Sequence, residues 1–147
     1  MKVLNEMKIT FLSKSANESF ARTAVSAFAA QLDPTVEEIT DIKTAVSEAV
    51  TNCIVHGYGN QVGKINLKAR ILEDAVLEIT ISDRGKGIED VAAAMTPLYT
   101  TCTTGERAGM GFTIMETFMD KLKVTSKVGK GTTVKLKKKL CLKERHG

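Results

Sequence analysis

The chain has 147 residues, of which 43% are hydrophobic and 26% charged, and its formal net charge is +4. This length suits one domain over 1–147 with a real core. No apolar run nears the roughly 18 residues of a membrane-spanning helix, and the start carries no signal-peptide pattern, so a cytoplasmic protein is expected, without a membrane partner.

Cys53, Cys102 and Cys141 lie far apart in sequence. They form no CxxC or Cys/His spacing for zinc and predict no disulfide in a reducing compartment. Much of the positive charge lies in 135-KLKKKLCLKER-145. It reads as the solvated edge of a last strand followed by a frayed basic tail. With no Trp, five Phe and two Tyr, the chain offers no stacking platform for bases, and direct nucleic-acid binding is not expected.

In chain order, MKITFL (7–12) alternates and predicts a strand. The run 15-SANE-18 has capping-box spacing and starts a helix. Its face is Phe20, Ala24, Ala27, Phe28 and Gln31, and it stops by Asp33-Pro34. The next helix begins in 33-DPTVEE-38. Either Asp33 caps it with Pro34 in the first turn, or Thr35 caps it with Glu38 closing a capping box. The stripe Val36, Ile39, Ile42, Val46, Ala49, Val50 and Cys53 runs its length, and Gly57 is a natural stop.

KINLKARIL (64–72) and VLEITISD (76–83) alternate and form a hairpin about Glu73-Asp74-Ala75. A short helix near 88–95 leads into 96-TPLYTTCTTGERAG-109, whose length and polarity suit a lid. A helix at about 110–120 carries Phe112, Met115, Phe118 and Met119. LKVTSK (122–127) and GTTVKLK (131–137) form a last hairpin about Val128-Gly129-Lys130. This segregation predicts an α/β two-layer sandwich, a mixed, mostly antiparallel sheet covered on one face by helices.

Glu48, Asn52 and His56 follow at four-residue intervals on one helix face. Glu48 and Asn52 lie well over 90° from the centre of the apolar stripe, so alone they describe a solvated face. The strand VLEITISD adds weight. Asp83 shares the phase of Leu77, Ile79 and Ile81 and should turn inward, where an unpartnered polar group costs roughly 2 kcal/mol or more. Gly85 and Gly87 in 83-DRGKGI-88 let something flat approach the backbone beside it. Thr132 shares the phase of Val134 and Leu136; its hydroxyl either serves the same ligand or bonds a nearby carbonyl. The run 105-GERAGMGF-112 puts glycines just before a helix, where free amides suit phosphate. It is not a P-loop, since no Gly-Lys-Ser/Thr follows, and 85-GKGIED-90 lacks the third glycine of a dinucleotide fingerprint.

Together and in this order, these pieces resemble the GHKL (Bergerat) ATP-binding fold shared by gyrase, Hsp90, MutL and histidine kinases. The Glu48–Asn52 helix matches its N box and Asp83-x-Gly85-x-Gly87 its first glycine box. Gly109-x-Gly111 matches the second, and Gly131-Thr132 the threonine element, a likeness over about residues 35 to 137. The only histidines are His56 and His146, and neither a helical phosphoacceptor segment nor a transducer domain is read. With 17-NESFAR-22, 47-SEAVTNCIVHGY-58 and 97-PLYTT-101, the chain resembles the family of anti-sigma F factors of spore-forming bacteria.

The resemblance implies two activities: inhibition of a sporulation RNA polymerase sigma factor (sigma F), and phosphorylation of a serine on an anti-anti-sigma factor. It implies ATP or ADP and Mg²⁺ as ligands, and a homodimer. Under it, Asn52 supplies an oxygen to Mg²⁺ and Glu48 is the general base for a serine hydroxyl. Asp83 accepts the adenine amino proton, and Thr132 supports the ring. The amides near Gly109 and Gly111, with Arg107, hold phosphates. His56 reads as structural, a cation or donor near a helix C-terminus. Glu18 and Arg22 form an i, i+4 pair, and the resemblance makes their helix the docking face, with Arg22 meeting acidic groups of the sigma factor. A nucleotide-dependent binding module and an ATPase without protein-kinase activity are the alternatives.

Overall fold

The alternation in 76–83 organises the fold. In the computed structural model, which describes residues 1–95 and 108–141, Leu77, Ile79 and Ile81 are fully buried on one side of a central strand. That strand, β3 (Val76–Asp83), pairs with β2 (Lys64–Leu72) and β5 (Gly131–Lys139). β1 (Val3–Leu12) and β4 (Lys121–Lys127) form the edges, in the order β1-β2-β3-β5-β4. Each of the four pairings is antiparallel, so the sheet has no parallel component. Ile65, Leu67, Ala69, Val134 and Leu136 extend the apolar face of β3. Helices α1 (Ala16–Ala29), α2 (Val36–Asn52) and α4 (Ala108–Phe118) complete the core on that face, giving the two-layer α/β sandwich. No helix among the described residues is long and apolar enough to cross a membrane.

The first helix departs from the reading of 15-SANE-18. Ser15 is itself helical and makes no side-chain cap. Glu18 turns to Arg22 and to the Ser47 hydroxyl instead. The buried face is Ala21, Val25 and Ala29, while Phe20 is 53% exposed. The reason is steric: the small side chains face α2 and the sheet, and the bulk of Phe20 is left outside, its ring edge-on to Phe11. A 3₁₀ turn, Ala30–Leu32, and Asp33 in the left-handed region (φ 51°) end the helix.

The Thr35 alternative caps α2. Its hydroxyl accepts the Glu38 N–H at 3.0 Å, and the Glu38 carboxylate accepts the Thr35 N–H at 2.9 Å. The other Glu38 oxygen accepts the Cys141 N–H at 2.8 Å, tying the chain after β5 to the start of the helix. Burial pushes this carboxyl up, but the bonds from Thr35 and Cys141 outweigh it and hold the pKa below its usual value. Val36 is 82% exposed, so the buried stripe begins further along, with Ile42. The helix does not stop at Gly57. It passes into a π-helical turn, Cys53–Tyr58, and ends at Gly59, whose φ is 60°. The short helix in the 88–95 region is α3 (Val91–Ala94), capped by Asp90.

Thr35→Ala should lower unfolding free energy by about 1 kcal/mol, read as a reduced denaturation midpoint. Glu38 is the more acidic in the folded chain, so its contribution is full above the unfolded carboxyl pKa and fades as pH falls through the folded one. An unchanged midpoint at pH 7 would contradict the cap.

Candidate functional site

The register of the sheet places Asp83 between Ile65 and Thr132. The carboxyl is only 6% exposed, and no described cation forms a salt bridge with it. Its hydrogen-bond donor is the Gly85 N–H, 2.8 Å from Oδ1, and the thiol of Cys53 lies close by. Burial pushes the Cys53 thiol well up, and the neighbouring Asp83 charge adds to the shift. Cys53 was read as a core residue, and it is buried; its place beside Asp83 could not be read from one helix.

The glycines near Asp83 admit protein backbone rather than an outside group. A methyl on Gly85 would overlap the Gly57 carbonyl, and the Lys86 N–H donates to that same carbonyl at 2.9 Å. A methyl on Gly57 would lie 2.9 Å from Asp83 Oδ2. Gly87, at φ 78°, is pressed against the Lys127 carbonyl. The flat approach expected at Gly85 and Gly87 is therefore made by the chain itself, and it wedges the π-helical turn against the end of β3.

Thr132 is 9% exposed and borders the same space. Its hydroxyl lies 2.8 Å from Ser126 Oγ, which accepts the Ile88 N–H at 2.7 Å and donates to the Gly131 carbonyl at 3.0 Å. The two hydroxyls share one hydrogen bond, and Thr132 also turns to the cavity. Ser126 was missed in the sequence, although it shares the inward phase of Leu122 and Val124 on β4.

Asp83, Cys53 and Thr132 line a cavity of about 840 Å³. Asn52, His56, Gly87, Ile88, Phe112 and Val128 complete its polar and apolar walls. Asn52 Nδ2 is buried and has no hydrogen-bond partner among the described residues. Its amide faces Gly111, where an added methyl would lie 3.1 Å from both Nδ2 and Oδ1. Burial, and then the charge of Lys86, lower the pKa of half-buried His56, so it is neutral at pH 7 and not the cation considered from its place near a helix end.

The donor set bears on which ion fits. No group of three His, Cys, Asp or Glu among the described residues is placed to hold a metal. A single amide oxygen at Asn52 fits a hard, water-keeping cation brought in mainly by phosphate oxygens.

Glu48 lies one helical turn before Asn52, yet it opens onto a different hollow. That groove, about 310 Å³, lies between α1 and α2 and is lined by Arg22, Thr40, Lys43, Thr44, Ser47 and Glu48. The Glu18–Arg22 pair is present at 3.2 Å, and Ser47 donates to Glu18 at 3.1 Å. Gly109 and Gly111 fall within α4 and not before it, so the free amides there are those of its first turn. Arg107, Cys102, His146, the lid segment and the end of the basic tail lie outside the described residues.

The same series of features is met in known proteins. The family model described as a histidine kinase-like ATPase domain matches residues 11–138. An anti-sigma F factor of Thermoanaerobacter sp. (strain X514) is 63% identical over 138 residues, covering 94% of this chain and 96% of that protein. The chain belongs to the anti-sigma F factor family. The relative from Clostridium acetobutylicum is 56% identical over 140 residues, 95% of this chain and 97% of that protein. Among solved structures, the RsbU and RsbW domains of a Mycobacterium tuberculosis protein superpose with a TM-score of 0.68 at 22% identity. They cover 92% of this chain and 32% of that one. A likeness at that identity concerns the fold, and it agrees with the two-layer α/β sandwich.

The two thiols described should differ in reactivity. Cys53 is buried with a raised pKa, and Cys141 is exposed. Iodoacetamide at pH 8 followed by peptide mapping should label Cys141 and spare Cys53. Equal labelling of both in the folded protein would contradict the packing of Cys53 against Asp83.

Proposed function

We propose that this chain is an anti-sigma factor and an ATP-dependent protein serine kinase, acting as one domain over 1–147. It holds an RNA polymerase sigma factor of the sporulation sigma F type and phosphorylates a serine of an anti-anti-sigma factor. The observation that carries the nucleotide assignment is the Asp83 carboxyl, buried at the cavity wall with no salt-bridge partner among the described residues. With the Gly85 N–H holding it from behind, Asp83 accepts a hydrogen bond from the exocyclic amine of adenine. Thr132, hydrogen-bonded to Ser126, supports the ring directly or through a bridging water. Gly85 and Gly87 fix the loop that presents Asp83.

The first-turn amides of α4, at Gly109 and Gly111, hold phosphate, and Arg107 pairs with it. Asn52 presents its amide oxygen to Mg²⁺, which neutralises charge on the phosphates when bound. Glu48 takes the proton of the incoming serine hydroxyl. Phosphoryl transfer needs little beyond positioning and charge stabilisation, and these residues supply both.

The acceptor serine reaches Glu48 from the groove between α1 and α2. Arg22 lines that groove beside Glu48, and its pairing with Glu18, itself bonded to Ser47, aims it there. Arg22 therefore meets acidic groups of a partner, and the strand–helix segment β1–α1 is the partner surface. The active species is a homodimer. A second reading, a nucleotide-dependent binding module or an ATPase without protein-kinase activity, is favoured by one observation: Glu48 lines the groove and not the 840 Å³ cavity.

Incubation with γ-labelled ATP, Mg²⁺ and an anti-anti-sigma protein separates these readings. Label on a partner serine is expected. Free phosphate alone would make the chain an ATPase, and neither product would leave a binding module. Glu48→Ala should slow transfer roughly 10²–10⁴-fold while ADP still binds, and an undiminished rate would remove Glu48 from the mechanism. Arg22→Ala should weaken sigma-factor binding in a pull-down, and full-strength binding would remove it from the interface.

A further inference from the structure

The face of the sheet turned away from the helices carries a line of positive charge that no single segment reveals. Lys8 is the register partner of Lys68, Lys68 of Thr80, Thr80 of Lys135, and Lys135 of Lys123. Four lysines and one threonine thus form a straight row across all five strands, about 19 Å at ~4.8 Å per strand. Lys8, Lys123 and Lys135 are exposed and Lys68 is half-buried. None of the four forms a salt bridge among the described residues.

The neighbouring rows are different in kind. One holds Glu6, Arg70, Glu78, Lys137 and Lys121. Its acids are engaged within the row, with Glu6–Arg70 at 2.6 Å and Glu78–Lys137 at 3.5 Å. The other holds Thr10, Asn66, Ser82, Thr133 and Thr125, all small and polar. Glu6 is within electrostatic reach of Lys8 and Lys68, but its carboxylate is hydrogen-bonded to Arg70. The lysine row thus forms no ion pair among the described residues and keeps an excess of positive charge, bordered on one side by an ion-paired row and on the other by hydroxyl and amide groups.

This arrangement works against stability. Lys8 opposes Lys68 and Lys123 opposes Lys135 directly, and like charges opposite one another across strands repel. A polyanion on this face relieves that repulsion. The composition discriminates among polyanionic partners. Protein interfaces are depleted in Lys and anchored by aromatic residues, Met and Arg, and none of these occurs in the lysine row or in the polar row. Membrane-surface binding takes an apolar wedge, also lacking there. Phosphate contacts come from Lys, Ser, Thr and Asn, the types these two rows hold. The lack of aromatic side chains excludes stacked single strands and leaves the backbone of a duplex.

We propose that this sheet face binds the phosphate backbone of double-stranded DNA, without sequence preference, through Lys8, Lys68, Lys123 and Lys135. The expectation of no direct nucleic-acid contact weighed the basic run at the chain's end and the scarcity of aromatic residues. The row instead gathers one lysine from each of four strands, and backbone binding needs no aromatic platform.

The test is fluorescence anisotropy of the full chain with a labelled 20-base-pair DNA duplex, from 50 to 200 mM salt. With four phosphates engaged, log affinity against log salt should have a slope of about −3 to −4. Each Lys→Gln change in the row should reduce that slope by about one. The quadruple variant Lys8→Gln, Lys68→Gln, Lys123→Gln, Lys135→Gln should lose binding at 100 mM salt while its circular dichroism and ADP affinity stay those of the parent. No binding at 50 mM salt would overturn the proposal. So would an unchanged slope in the quadruple variant, or capture by anionic phospholipid vesicles with no affinity for the duplex. None of these outcomes bears on the nucleotide site.

Discussion

A carboxyl on the covered side of a sheet is the constraint around which this molecule is arranged. Burying Asp83 with no salt-bridge partner among the described residues leaves its carboxyl to the Gly85 N–H, the nearby Cys53 thiol and whatever enters the cavity. Removing a charged group from water is costly unless it is hydrogen-bonded, and one backbone donor leaves most of the carboxylate's acceptor capacity for what enters the cavity. The surroundings do not collapse onto it. Asn52, Thr132 and Phe112 stand back and leave the space open.

Keeping that space requires a rigid frame, and the frame depends on close backbone contacts. Gly57 against Asp83, Gly85 against Gly57 and Gly131 against the Asp83 carbonyl are approaches that any Cβ would disturb. Gly131 also holds φ at 111°, which L side chains rarely adopt. The result locks three elements together: the π-helical turn after α2, the end of β3 and the start of β5. Ser126 adds a polar pin, joining the loop at Ile88 to the Thr132 strand. The helix that carries Asn52 and the strands that carry Asp83 and Thr132 thus hold one geometry.

Period-two reasoning recovered most of this from the sequence because a strand with one covered face leaves little choice of phase. Asp83 and Thr132 were found that way, and Ser126 answers to the same rule. The hairpin boundaries at 64–72 and 76–83 agree with the strands residue for residue. Helices were harder. In α1, alanines lie on several faces, so the apolar pattern did not show which face the neighbours would cover. In 15-SANE-18 the carboxylate found better partners in Arg22 and Ser47 than in its own backbone. Gly57 was taken for a helix stop because sequence shows where a glycine is, not which group comes up against it. The lysine row escaped for a related reason: its members lie far apart in sequence, and only strand register aligns them.

The proposal that Asp83 recognises adenine joins the family match to the buried acid, and calorimetric titration of ADP and GDP into the wild-type chain and Asp83→Asn tests it most directly. The account predicts that ADP binds and GDP binds far more weakly. It also predicts that Asp83→Asn lowers ADP affinity roughly 10- to 100-fold, the worth of a hydrogen bond to a charged group. Equal affinity for the two nucleotides, or an Asp83→Asn variant that binds ADP as tightly as the wild type, would contradict it.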